Sequence, residues 1–327
     1  MKQVTFLMAD GLLKPSCLFG AIEVLEKANE YYVNQGQQPY YNIGLAGVNL
    51  EQPVLNVAFS LHGVQDISAV KRTDIIILPS YDTRDDFAIN GSRAALDWVT
   101  AQYKQGAEVA SLCTGTFLLA ATGLLKGQSC STHWKAETAF RSLFPELKLA
   151  THKIITDHKG LYTAGGAQSS LNLMLYLVEK NNGREAALYC AKVLQIDIER
   201  NSQLPFIVFE GLKEHADTEI RTVQEYIEAN IEEKLTVEFL ADRCAMNRVN
   251  FSRRFKRATK VSPVDYIQRV KVEAAKRSLE AGRKNINEVM YGVGYTDVKA
   301  FRLIFKKVAG LTPMEYRNKF SKAWGLT

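Results

Sequence analysis

Cys113 closes an apolar run, Val109-Ala110-Ser111-Leu112, and is followed at once by Thr114-Gly115-Thr116 and a helix-like stretch. A strand, a sharp turn with a small residue and a helix start make an elbow. Such an elbow exposes the middle side chain and aims backbone N–H groups and a helix dipole at it, which depresses a thiol's pKa. A thiol so placed can attack an electrophile, be oxidised, or line a pocket; a cysteine merely buried at a strand end does none of these. Hydrolysis needs a base to activate the thiol and a general acid for the leaving group. Neither a carboxylate nor a histidine adjoins Cys113, so the helix dipole is the one activating influence the local sequence offers.

A second set of chemically capable residues lies in a duplication. "FSRRFKRATKVSPVDYI" from Phe251 recurs as "FRLIFKKVAGLTPMEYR" from Phe301, fifty residues on. Phe251 and Phe255, at i and i+4, face a core, and Phe301 and Phe305 repeat them. This leaves Arg248, Ser252, Arg253 and Lys256 on other faces of a helix over 248–258, and Lys299, Arg302 and Lys306 on one over 298–308. Arginine can fork to guanine O6 and N7 or grip phosphate, and lysine holds phosphate, so these seven residues are candidate DNA contacts.

The elements that position them can be read locally. Val237, Leu240, Ala241 and Cys244 recur at helical spacing before the turn "AMN", as do Ile286, Val289, Met290 and Val293 before "GYTD"; Asn247 and Asp297 then cap the second helices. Each unit is a helix-turn-helix. Ser262-Pro263-x-Asp265 and Thr312-Pro313-x-Glu315 write a helix start twice: hydroxyl at N-cap, proline at N1, carboxylate at N3. Between the units, Pro263 to about Ala281 reads as one helix stopped by Gly282, roughly 28 Å long against ~34 Å between successive major grooves on one DNA face. Two solvated αα-hairpins are the alternative, and charge weighs against it. Residues 243–327 carry 20 Lys and Arg against 6 Asp and Glu, a local excess hidden in the chain's net charge of +6.

In the first two-thirds, strand-like runs ("VTFLMA", "YNIGLAG", "DIIILPS", "AEVASLC", "GLYTAGG") alternate with helical ones (16–33, 91–104, 115–122, 168–180), the pattern of a parallel sheet wrapped by helices. Ligands in such folds sit beyond the carboxyl ends of strands, where Cys113 lies. The 327 residues divide best into two domains, 1–205 and 217–327, joined in "PFIVFEGLKEHAD". Five cysteines, odd in number and without C-x-x-C spacing, suggest neither a disulfide framework nor zinc. His62, His152, His158 and His215 show no metal spacing, and no metal or cofactor is expected. The N-terminus lacks a signal pattern, and "FLLAATGLL" is too short to span a bilayer, so a cytoplasmic protein without membrane partners is expected.

Residues 218–320 resemble the AraC-type DNA-binding domain, down to "SRRFKR", "GVGYTD" and "FKKVAGLTPMEYR"; Lys260 departs by standing where the second repeat keeps Gly310. "VASLCTGTFLLAATGLLKGQSCSTHW" and "TAGGAQSSLNLMLYLVE" resemble PfpI-type domains of the class I glutamine-amidotransferase-like superfamily, over about residues 3–200. The fold class expected is therefore α/β, a parallel-sheet flavodoxin-like, amidotransferase-like sandwich, followed by an all-α domain with two helix-turn-helix units.

The two domains in this order resemble GlxA-like transcriptional regulators. That resemblance implies a sensor and dimerisation domain before a reader of double-stranded promoter DNA, with an unknown small-molecule effector, a homodimer and RNA polymerase as partners. It puts Cys113 on a nucleophile position and His133 on a site-lining histidine. Asp10, Cys113, Thr114, His133 and Trp134 are the candidate ligand-binding residues, although an aromatic residue at a helix start such as Trp134 more often serves the core. The catalytic set looks thinned. Thr114 stands where protease-like members have a histidine, Ser16 and Cys17 where many have a carboxylate, "LPSYD" where a glycine pair is usual, and Asn172 where Asp is frequent. No catalytic residue is assigned. The alternatives are a cysteine-dependent amidase or hydrolase, or a redox-sensing thiol domain with Cys17 or Cys130 resolving, fused to the DNA-binding module.

Overall fold

The computed structural model describes residues 1–9, 13–48, 61–82 and 93–321 and divides into two compact units, Met1–Gln203 and Leu204–Thr327. The first is built on strands β1 (Lys2–Met8), β2 (Tyr41–Gly47), β3 (Val64–Asp66), β4 (Ile75–Leu78), β5 (Glu108–Ser111), β8 (Ile155–His158) and β9 (Leu161–Ala164), in the order β3-β2-β1-β4-β5-β9-β8. A strand buried on both faces reads as an unbroken apolar run, which is why Ile75-Ile76-Ile77-Leu78 is legible as the sheet's centre. Helices α1 (Pro15–Val33), α5 (Ala167–Asn182) and α6 (Arg184–Val193) pack on one another; α2 (Arg93–Lys104) packs against β5 and α3 (Thr116–Ala121). A separate ribbon pairs β6 (Ser129–Cys130) with β7 (Lys148–Leu149), ahead of and behind α4 (Glu137–Leu143).

The sheet departs from the all-parallel expectation at one edge, where β8 runs antiparallel to β9. Lys159 and Gly160 between them both take positive φ (52° and 78°), the signature of a two-residue type I′ hairpin turn. Only the second strand of that hairpin carries a clear apolar run, so the first is invisible to periodicity.

The second unit is helical: α7 (Thr218–Ala229), α8 (Val237–Arg243), α9 (Arg248–Thr259), α10 (Pro263–Glu280), α11 (Ile286–Gly292), α12 (Val298–Ala309) and α13 (Pro313–Phe320). Asn247 and Asp297 accept hydrogen bonds from the first turns of α9 and α12. Ser262 caps α10, and Thr312 with Glu315 forms a reciprocal capping box on α13. Two cores form, and α10 serves both. Its Tyr266, Ile267 and Val270 pack with Phe251 and Phe255, while its Val272, Ala275 and Leu279 pack with Phe301 and Phe305.

The segment expected as the junction belongs to this unit from Leu204 onward. Phe206 meets Phe320 with ring centroids 5.8 Å apart, and Phe209 meets Tyr266 at 5.3 Å. The Phe209 N–H donates to Glu273 Oε2 at 3.2 Å, and Lys276 Nζ donates to the Ile207 carbonyl. Glu273 and Lys276 are themselves a buried ion pair at 2.8 Å, so each charge is neutralised while it holds the strap. Among the described residues no helix is long and apolar enough to cross a membrane, and no cluster of His, Cys, Asp and Glu could hold a metal ion.

Candidate functional site

Cys113 opens a short 3-10 turn, Cys113–Gly115, between β5 and α3, and its φ of +56° is unusual for a residue with a side chain. The surroundings hold it there. The Leu112 N–H bonds the Leu78 carbonyl at 2.9 Å, and the Cys113 carbonyl accepts from Thr132 Oγ1 at 2.9 Å and Thr116 Oγ1 at 3.1 Å. The turn lies so close to the end of β4 that a Cβ on Gly115 would sit 2.3 Å from the Leu78 oxygen and 2.4 Å from that of Pro79. Glycine is required there by space.

The Cys113 thiol is buried beside Cys17, in the first turn of α1. A hydrogen bond from Cys17 lowers the Cys113 pKa, with help from Ser80, Lys14 and the Thr114 N–H against the cost of burial; the same pairing and burial raise that of Cys17. A neighbouring thiol thus favours ionisation of Cys113, from the position where many PfpI-type domains carry a carboxylate. Cys130 is not part of the pair, since its Sγ faces the Lys148 carbonyl at 3.9 Å.

Thr114 is hydrogen-bonded to the loop after β4. Its hydroxyl donates to the Tyr81 carbonyl at 2.6 Å, shares a hydrogen bond with Ser80 Oγ at 2.7 Å and accepts from the Tyr81 N–H at 3.1 Å. Tyr81 went unnoticed in the sequence, yet its hydroxyl donates to the Leu7 carbonyl and accepts from the Ala9 N–H, both at 2.8 Å, drawing the end of β1 to the elbow. Gln203, also unforeseen, is buried. Its amide donates to the Thr151 and Thr132 carbonyls at 2.7 and 3.0 Å and accepts from the Gly166 N–H at 3.1 Å, fixing the loop before His133 to the start of α5. Its only sequence signal is a polar residue at a domain end.

His133 is half-buried, its Nδ1 accepts from the Lys135 N–H at 3.1 Å, and its ring stacks on Trp134 at 5.6 Å. Burial lowers its pKa, and Lys14, Lys135 and Arg200 lower it further, so the ring is neutral at pH 7 with its proton on Nε2. Among the described residues, the charged side chains with the largest effect on Cys113 and His133 are the cations Lys14, Lys135 and Arg200. His133 approaches the start of α5 closely, its Cδ2 lying 3.3 Å from where a Gly166 Cβ would be. Asp10 lies outside the described residues. A cavity of about 160 Å³, lined among others by Asn172, Tyr176, Arg184 and Arg200, borders none of Cys113, Thr114, His133 and Trp134.

On α9, Arg248, Arg253 and Lys256 are exposed and Ser252 half-buried; on α12, Lys299, Arg302 and Lys306 are exposed. Arg248 pairs with Glu238 at 2.9 Å, and Arg253 with Asn250 Oδ1 at 3.1 Å. Arg254, one residue away from Arg253, is committed to Asp217 and Glu219. Val249 and Leu303, which carry no charge to mark them, are each 72% exposed. Counting i, i+4 and i+7 along each helix would have placed them on the outward face.

Comparison with known proteins supports both halves. Residues 59–180 match the DJ-1/PfpI family and residues 240–319 a helix-turn-helix domain. The chain is 28% identical over 230 residues, 69% of its length, to the HTH-type transcriptional regulator GbdR of Pseudomonas aeruginosa, and spans 62% of that protein. It is 24% identical over 221 residues, 65% of its length and 66% of the other's, to the HTH-type transcriptional regulator GlxA of Rhizobium meliloti. Among solved structures, a putative transcriptional regulator from Vibrio parahaemolyticus superposes with a TM-score of 0.52 at 23% identity, covering 59% of this chain and 98% of that one. Drosophila melanogaster DJ-1beta superposes at 0.50 with 19% identity, covering 60% and 98%. The chain is thus similar to the DJ-1/PfpI family in its first unit and to helix-turn-helix domains in its second, and it spans about three-fifths of the length of the first of these regulators.

Proposed function

We propose that this chain is an effector-responsive transcriptional regulator that binds double-stranded promoter DNA through α9 and α12 and takes a small metabolite at the Cys113 elbow. The observation that carries the DNA half is the pair of exposed basic helix faces, each backed by two buried phenylalanines and both anchored on α10. A positively charged helix face with its core side filled is suited to a phosphate-lined groove.

The elbow supports sensing over turnover. Its thiol leans on Cys17, Thr114 is hydrogen-bonded to Ser80 and Tyr81, His133 is neutral, and among the described residues the leading charged neighbours are Lys14, Lys135 and Arg200. Such a site favours an anionic or carbonyl-bearing metabolite, and among the described residues no carboxylic acid is among the groups that act on Cys113. The proposal extends to a homodimer working in the cytoplasm beside RNA polymerase, as the resemblance to GlxA-like regulators implies.

Genomic DNA recovered with the full-length protein at moderate salt tests this function. Enrichment of a few upstream regions, changed by adding a metabolite, supports it; uniform recovery contradicts the DNA half. Consumption of the metabolite, abolished by Cys113→Ala with DNA recovery intact, would replace the sensor with an enzyme.

A further inference from the structure

Apart from the N-terminal Met1, Val249 and Leu303 are the most exposed large hydrophobic residues among those described. Single exposed apolar residues are common, so exposure alone decides nothing. Their places do. Val249 shares its helix face with Arg253 and Lys256, at i+4 and i+7, opposite Phe251 and Phe255. Leu303 lies on the equivalent face of α12 between Lys299 and Lys306, opposite Phe301 and Phe305. Each bare apolar side chain is thus set in the middle of the basic surface proposed to enter a groove.

The fifty-residue repeat adds a second observation. Val249 is equivalent to Lys299, and Arg253 to Leu303. Both helices therefore carry one apolar and one basic residue a turn apart, in opposite order. The major groove presents a single apolar feature, the C5-methyl of thymine, and offers guanine O6 and N7 to a cation.

We propose that Val249 and Leu303 each read a thymine methyl group, with Arg253 and Lys299 taking the acceptor edge or phosphate one helical turn away. Because the order is reversed, the two motifs read different sequences, and the DNA site is not a direct repeat. This rests on the proposed DNA binding, and the test separates the two.

A duplex is first selected from a random library with the full-length protein. No enrichment would refute DNA reading itself. In the selected duplex each thymine is then replaced singly by deoxyuridine, which removes only the methyl. Two positions should lose roughly three- to fivefold in affinity, the value of one buried methyl group. Val249→Ala should abolish one of those sensitivities and Leu303→Ala the other, and the retained sensitivity reports that each variant is folded. Two uracil effects that survive both substitutions, or none in the wild type, overturn the assignment; a single sensitive position overturns it for the helix left silent. Two similar half-sites in the same orientation overturn the asymmetry.

Discussion

Gly294, in the turn of the second helix-turn-helix, lies against the Glu232 carbonyl that precedes the first: a Cβ on Gly294 would sit 2.4 Å from that oxygen. Lys271, buried midway along α10, completes the junction. Its Nζ donates to the Glu233 carbonyl at 2.8 Å and lies 5.5 Å from the centre of the Tyr295 ring. The two motifs therefore meet through backbone and one buried lysine as well as through a shared helix, and their spacing is set by packing.

Gly294→Ala should accordingly destabilise the second unit by about 2 kcal/mol or more, since the residue has both a φ of +73° and no room for a methyl group. Denaturant unfolding of the full chain measures this. A change within a few tenths of a kcal/mol would mean that the motifs are not held by this contact.

Adjacent arginines should separate stability from recognition. Arg254 meets Asp217 at two points, Nε to Oδ2 at 2.7 Å and Nη2 to Oδ1 at 2.9 Å, while Asp217 also caps α7. Arg254→Ala should cost about 1 kcal/mol, the upper end for a partly exposed ion pair, since Asp217 keeps its cap on α7. Arg253→Ala should leave stability unchanged, weaken DNA binding and reduce its salt slope by about 1. The Arg254 hydrogen bonds hold the Asp217 pKa below the ordinary carboxylate value. Its contribution is therefore complete above that value and lost as pH falls through the depressed one. In Asp217→Asn that component of acid sensitivity should disappear.

The thiol pair gives a pH readout. Because Cys17 donates to the Cys113 thiolate, Cys17→Ala should move the Cys113 ionisation, followed by ultraviolet thiolate absorbance, to higher pH, and Cys17→Ser should restore part of the shift. An unmoved midpoint in Cys17→Ala would leave the elbow's helix start as the cause.

Lys260 and Gly310 end equivalent helices with φ of +64° and +73°. Lys260→Gly should stabilise the chain by about 0.5–1 kcal/mol by relieving a left-handed lysine. Gly310→Ala should destabilise it, because the added carbon would lie 2.8 Å from Leu204 Cβ. Thermal unfolding of both variants decides the signs.

How much of this was legible in the sequence follows from which forces are local. Caps, proline starts and i, i+4 phenylalanines act within one helix, so α9, α10 and α12 could be drawn to within two residues, and the start of α13 at Pro313. The elbow was legible because Val109–Leu112 and Thr114-Gly115-Thr116 are contiguous. The hydrogen bonds of Tyr81 and Gln203 join segments 33 to 74 residues apart, and nothing in either residue's own neighbourhood announces them. β8 was missed because Ile155-Thr156-Asp157-His158 has too little apolar character to signal a strand. The bonds of the Thr114 hydroxyl to Ser80 and Tyr81 likewise span 34 and 33 residues and have no local signal.

The most direct test of two motifs reading one face of a duplex is hydroxyl-radical footprinting of the full-length protein on its selected DNA. Two protected windows about one helical turn apart are expected, the first weakened by Arg253→Ala and the second by Arg302→Ala. A single protected window, or two that neither substitution alters, would contradict it.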